Sequence, residues 1–294
     1  MGFYYGAMYN WHAVNTGKLA LANWRVPNDD DWAALSDFLG GDNATGAHDE
    51  AGGKLKAVGT EEWASPNTGA TDIYRFAGLP GGSRSSSNGT FGLKGTRSHW
   101  RSSTESGATT SYYYAITYDS SSLIKWNGLK GNGFAVRLMR DTDPRTPYIQ
   151  DFDGNWYGII KIGNQWWINR DFRCTHYNDG TEIQNAVSNA DWSTFGGQNV
   201  GLYCWYNNIV PNNMPVPLWT DSGSEPLFLN KGIMKNSTYK MIRNENYGNP
   251  EGNVVDNSAG EDLTTVSKSY QMGQKGGNVG FNNRLTGPLY TDGN

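Results

Sequence analysis

Two cysteines in 294 residues are too few for a disulfide-built scaffold. Their spacing does not show whether Cys174 and Cys204 meet, so both read as buried or paired. Charge is also scarce. Charged residues make up 18% and the net charge is −4, where about 25% charged is usual. This leaves no basic footprint for a nucleic-acid partner. No run of about 18 apolar residues occurs, so no helical membrane span is expected. The dominance of Ala, Glu, Lys and Leu that long helices and coiled coils need is missing. The first residues, Met1 to Gly6, lack the basic-then-apolar pattern of a secretory leader: either a leader has been removed ahead of them, or the protein does not cross a membrane by that route. His12, His48, His99 and His176 stand at no metal-ligand spacing, and neither a metal site nor a cofactor is expected. Gly81-Gly82 and Gly276-Gly277 lack the strand–loop–helix setting of a phosphate loop.

What the chain has instead is glycine and aromatic rings: 38 Gly, 12 Trp and 17 Tyr. Such a composition argues against disorder and for short strands joined by loops. One main helix is predicted over about 28–39. Asn28 and Asp31 make a capping-box pair, and Trp32, Leu35, Phe38 and Leu39 form the apolar face. Gly40-Gly41 ends it. The acids Asp29, Asp30 and Asp31 suit the positive end of the helix dipole rather than an acid–base pair. Tyr112 to Tyr118 and Gly133 to Met139 read as strands. Trp156–Ile162, Gly163-Asn164 and Gln165–Ile168 read as a hairpin. Asp141 to Pro147 has the composition of a linker. Residues 208–294, rich in Asn, Gly, Ser and Pro, read as an irregular β and loop extension that serves assembly.

Six motifs in order carry a family resemblance. They are Tyr5-Gly6-Ala7-Met8-Tyr9-Asn10-Trp11, Trp24-Arg25-Val26-Pro27, Gly53-Lys54-Leu55-Lys56, Phe76-Ala77-Gly78-Leu79-Pro80-Gly81-Gly82-Ser83-Arg84, Trp100-Arg101-Ser102-Ser103-Thr104 and Gly133-Phe134-Ala135-Val136-Arg137. Together they resemble the Fibrobacter succinogenes major paralogous domain. Motifs similar to that family's N-terminal portion come later, at Asp153-Gly154-Asn155, Lys161 to Trp167, Tyr177 to Thr181 and Tyr203 to Asn208. The resemblance therefore divides the chain into 1–141 (the family's C-terminal portion), a linker at 142–151, 152–207 (its N-terminal portion) and 208–294. Two explanations stay open: a window cut out of phase from a tandem array, or a permuted domain completed in cis or by exchange. Completion is favoured, because no second Tyr-Gly-Ala-type stretch follows Asn208.

The resemblance implies an α+β, C-type-lectin-like fold, similar to that of diversified phage receptor-binding proteins and of formylglycine-generating oxidases. Ala20 and Leu138 stand where many family members carry cysteine, so the reactive pair of the oxidases is not expected. Sugar-binding triplets of calcium lectins are missing, although calcium held by other loops stays open. The expected function is non-enzymatic surface recognition: a fibre, spike or receptor-binding component at the virion surface of a phage, binding a bacterial surface glycan or protein. Its partners would be copies of itself, as a homo-oligomer and by analogy with phage spikes a trimer, and other virion proteins. The alternative is a secreted or cell-surface adhesin of a Bacteroidetes or Fibrobacter bacterium that binds polysaccharide; an oxidase is third. The expected ligand-binding residues are Arg101, Tyr112, Tyr114, Tyr118, Lys125, Trp126 and Asn127. Rings of this kind offer large contact area with few torsions to freeze.

Overall fold

The computed structural model describes residues 5–40 and 50–209, and the backbone of four short strands between 215 and 239. The chain divides into two compact units, Met1–Pro211 and Asn212–Asn294. The first opens with β1 (Met8–Tyr9), α1 (Trp11–Asn15), α2 (Asp29–Phe38) and α3 (Ala51–Leu55). Then come β2 (Ser83–Arg84), β3 (Phe91–Gly92), β4 (Arg97–Gly107), β5 (Thr110–Thr117), β6 (Ile124–Leu129) and β7 (Met139–Arg140). It closes with β8 (Tyr148–Gln150), β9 (Trp156–Ile162), β10 (Gln165–Ile168), β11 (Gln184–Asn185), α4 (Asn189–Gly196) and β12 (Leu202–Cys204). In the second unit β13 (Pro215–Leu218) pairs with β14 (Leu227–Asn230), and β15 (Met234–Lys235) with β16 (Thr238–Tyr239). The rest of the expected extension lies outside the described residues. The fold is α+β and strand-rich, with four helices among the described residues.

Helix α2 begins as the sequence predicts. Asn28 Oδ1 accepts the Asp31 amide at 2.8 Å, and Asp31 accepts the Asn28 amide at 2.9 Å. Trp32, Leu35 and Leu39 are buried, whereas Phe38, predicted on the same face, is 51% exposed. The helical period explains the correction. Positions 32, 35 and 39 fall within one narrow stripe, and 38 lies well to its side. Phe38 instead meets Tyr74 edge-on, with ring centroids 5.8 Å apart. A second capping box, Ser188 with Asp191, starts α4, a helix the periodicity did not single out.

The sheets join early and late parts of the chain. β4, β5 and β6 form an antiparallel sheet. The Gly133–Met139 segment is not one long strand. It runs extended beside β4, and Arg101 N donates to Ala135 O at 2.9 Å. The predicted hairpin forms as β9 and β10 around Gly163, whose φ of +59° suits a glycine in a tight turn. β10 pairs antiparallel with β7, Trp167 opposite Met139, while β12 pairs with β1, Cys204 opposite Met8. The linker that the resemblance places at 142–151 is shorter, and ends with the stretch of linker composition at Pro147. Tyr148–Gln150 forms β8 on the open edge of β9, because that edge would otherwise leave its amides and carbonyls unpaired.

The core is aromatic. Trp32 stacks on Tyr114 at 5.1 Å and on Trp100 at 5.9 Å, and meets Trp167 at 5.0 Å; Phe76 packs edge-on against Trp100 and Trp167. Each such ring contributes about 1.5–3 kcal/mol by burial, with roughly 0.5–1.5 kcal/mol more per well-oriented pair. A buried ion pair fastens this core. Arg137 Nε donates to Asp171 Oδ1 at 2.6 Å, and Trp100 Nε1 donates to the same oxygen at 2.8 Å. Residues from 32, 100, 137, 167 and 171 thus share one interior.

Candidate recognition surface

The register of β5 and β6 decides where the expected binding residues go. Tyr112 faces Asn127 across the ladder, Tyr113 faces Trp126, and Tyr114 faces Lys125. Alternation then sends Tyr112, Tyr114, Lys125 and Asn127 to the α2 side, and Tyr113 and Trp126 to the other. The seven expected residues are therefore not one surface.

On the α2 side, Tyr114 is a core residue, only 1% exposed. Its hydroxyl donates to Asp29 Oδ1 at 2.8 Å, and burial together with that carboxylate pushes the phenol well above its ordinary range. The expectation that it contacts a ligand is corrected: Trp32 covers its ring. Lys125 reaches the other Asp29 oxygen at 2.6 Å and lies 4.1 Å from the centre of the Tyr112 ring. Lys125 and Asn127 are exposed and Tyr112 is half-buried at the margin. Tyr118 follows the end of β5. It packs on the core from a loop, so it joins neither group.

On the opposite side the rings and cations form a ladder. Arg97 lies 5.4 Å from the Trp126 ring; Trp126 meets Tyr113 edge-on at 6.0 Å; Tyr113 lies 4.5 Å from Phe134; His99 stacks on Phe134 at 5.2 Å. Arg97, Tyr113 and Trp126 are half-buried and reach solvent. Arg101 does not reach solvent, and that expectation too is corrected. It is fully buried with its guanidinium 4.2 Å from the Phe134 ring, donating to Ser111 Oγ at 2.9 Å and to the Asn132 carbonyl. No carboxylate is among these partners, and burial pushes the guanidinium down to about 9. Arg101 and His99 are thus a floor beneath the exposed rings. Burial holds His99 at about 4, so its neutral ring donates from Nδ1 to the Gly82 carbonyl 3.0 Å away.

Arg97 and Tyr113 are the surface residues that the sequence reading left out of its site. The signal was there in alternation: Arg97, His99 and Arg101 occupy every second position of β4 and so share a face.

The cysteines are free and buried, and burial pushes each thiol up to about 12. Both are held as protonated thiols. Among the described residues no three His, Cys, Asp or Glu side chains converge in a metal-binding group, and no helix is long and apolar enough to cross a membrane.

The first unit is thus strand-rich and α+β, and its β4–β5–β6 sheet carries an aromatic and cationic face. Within it, residues 2–140 match the Fibrobacter succinogenes major domain, and this part of the chain belongs to that family. No curated protein and no solved structure matches the chain.

Proposed function

We propose that this is a non-enzymatic surface-recognition protein that binds a bacterial surface glycan through the outer face of the β4–β5–β6 sheet. The observation that carries the reading is the solvent-reaching group of Trp126, Tyr113 and Arg97, backed by a buried floor of His99, Phe134 and Arg101. Flat rings on a rigid strand match the apolar faces of sugars, and an arginine beside them donates in a fixed fork. Changing Trp126 to Ala should abolish retention on host-type bacterial cells, or on their isolated glycans, with the fold intact by circular dichroism. Unchanged retention would remove the reading.

The setting we propose is a phage fibre or spike, assembled as a homotrimer with residues 208–294 as the assembly segment. Peptides of the chain in purified virions, and a trimeric mass by light scattering, are the expected results. Finding it on a bacterial envelope instead, bound to polysaccharide, would select the adhesin alternative.

We further propose that the fold is C-type-lectin-like and that residues 152–207 are the family's N-terminal portion, placed after the rest and completing it in cis. The pairing of β10 with β7 and of β12 with β1, and the Arg137–Asp171 pair, support this. A chain reordered with 148–209 ahead of 5–141 should fold with a similar thermal midpoint. Failure of the reordered chain to fold would count against permutation.

A further inference from the structure

A cleft of about 330 Å³ opens where β6 ends, between the β4–β5 turn, α1 and α4. Its volume lies at the lower end of the ~300–1,000 Å³ range of small-molecule sites. His12, Ser87, Thr109, Lys130, Ser193 and Asn199 supply its polar lining, and Gly131, Gly196 and Gly197 leave backbone open beside them. The side chains of His12, Ser87, Thr109 and Asn199 make no hydrogen bond among those found for the described residues, so their donors and acceptors are available.

The lining contains two basic side chains and no carboxylate, in a chain whose net charge is −4. Lys130 is held in place: its ammonium bonds Glu105 and the Ala108 carbonyl, 2.7 Å away, and lies 4.6 Å from the Trp11 ring. Arg101 is fully buried nearby, its Nε without a hydrogen-bond partner and its charge unmatched by a carboxylate. Burial first, then Lys130 and Arg101, pull the His12 imidazole below its ordinary range.

From this lining we propose that the cleft is a second binding site, taking a sugar unit that bears a carboxylate, such as a uronic acid. The hydroxyl and amide groups of Ser87, Thr109 and Asn199 would hold the sugar hydroxyls, and Lys130 and His12 the carboxylate. A neutral sugar would leave the third N–H of the Lys130 ammonium, whose other two bond Glu105 and the Ala108 carbonyl, and the buried Arg101 charge without an anion; acetate alone would leave the hydroxyl-binding groups unused. The site is separate from the Trp126 face and does not depend on it.

The test is calorimetric titration of the full chain with glucuronate, glucose and acetate. Glucuronate should bind, with glucose and acetate at least about tenfold weaker, the scale of one charge-assisted hydrogen bond. Lys130→Met should weaken glucuronate about tenfold and leave the residual affinity for glucose unchanged. Because Lys130 also bonds Glu105, Asn199→Ala serves as the charge-preserving variant and should weaken both sugars. Trp126→Ala should leave glucuronate binding intact, so failure of the glycan reading and failure of this site are distinguishable. A uronate oligomer that binds tighter than the monomer would identify a polymeric source, and equal binding a free sugar acid; both support the site. Equal affinity for glucose and glucuronate would overturn the acidic-sugar assignment, and no binding of either would overturn the site.

Discussion

The two faces of the β4–β5–β6 sheet are cut from the same strands yet treat rings and charges in opposite ways. Toward α2, Trp100 and Tyr114 are sealed under Trp32, and the cations nearby have carboxylate partners: Lys125 with Asp29, Arg137 with Asp171. Cations lie against rings on both sides, but away from α2 Tyr113 and Trp126 reach solvent, and Arg97 and Arg101 have no carboxylate partner among the described residues. A buried charge with a bonded partner organises an interior. Arg97, held against a ring where it reaches solvent, keeps its charge uncommitted, which suits contact with something outside the molecule. The contrast separates scaffold from surface within one sheet.

Four measurements would break or sharpen that contrast. The largest effect is expected at the sealed side. Asp171→Ala strands the Arg137 guanidinium and the Trp100 indole N–H in the interior, and should cost about 3–5 kcal/mol in urea unfolding. A loss below about 1 kcal/mol would mean that the pair does not organise the core.

Next comes acid. Native His99 titrates near 4, against about 6.5 when unfolded. Between those values the unfolded chain binds more protons. The contribution is therefore complete above about pH 6.5 and is lost as pH falls toward 4, up to about 3 kcal/mol. Urea unfolding at pH 7 and pH 4.5 measures it, and His99→Gln should flatten the difference between the two.

Trp126→Ala removes a half-buried ring and should cost only about 1 kcal/mol by thermal or urea unfolding while ablating ligand retention. A collapse of stability would make Trp126 a core residue and erase the distinction between the faces. The smallest effect belongs to Lys125→Ala. Its pair with Asp29 is partly exposed, and about 0.5 kcal/mol or less is expected from a double-mutant cycle with Asp29→Ala.

Much of the local structure was legible from residues alone. The capping box at Asn28 and Asp31, the Gly163-Asn164 hairpin and the strand through Tyr112 to Thr117 all rest on short-range rules: side-chain to amide geometry, positive φ, β-branched and aromatic preference. The site was legible only as a neighbourhood. Composition drew attention to residues 101–127, but it could not say that Arg101 and Tyr114 would be interior while Arg97 and Tyr113 would reach water.

Sequence by itself determined the chain's motifs, its β-rich character and the alternation that separates Tyr113 from Tyr112 and Tyr114, but not that Trp126 would share the Tyr113 face, which the β5–β6 register decides. Those depend on neighbours within a few residues. Tertiary structure alone decided which side of the sheet α2 and Trp32 would cover, that β8 would form in an apparent linker, and that Asp171 would meet Arg137. Each of these depends on segments distant in the chain, and burial is a property of what arrives on top of a residue rather than of the residue itself.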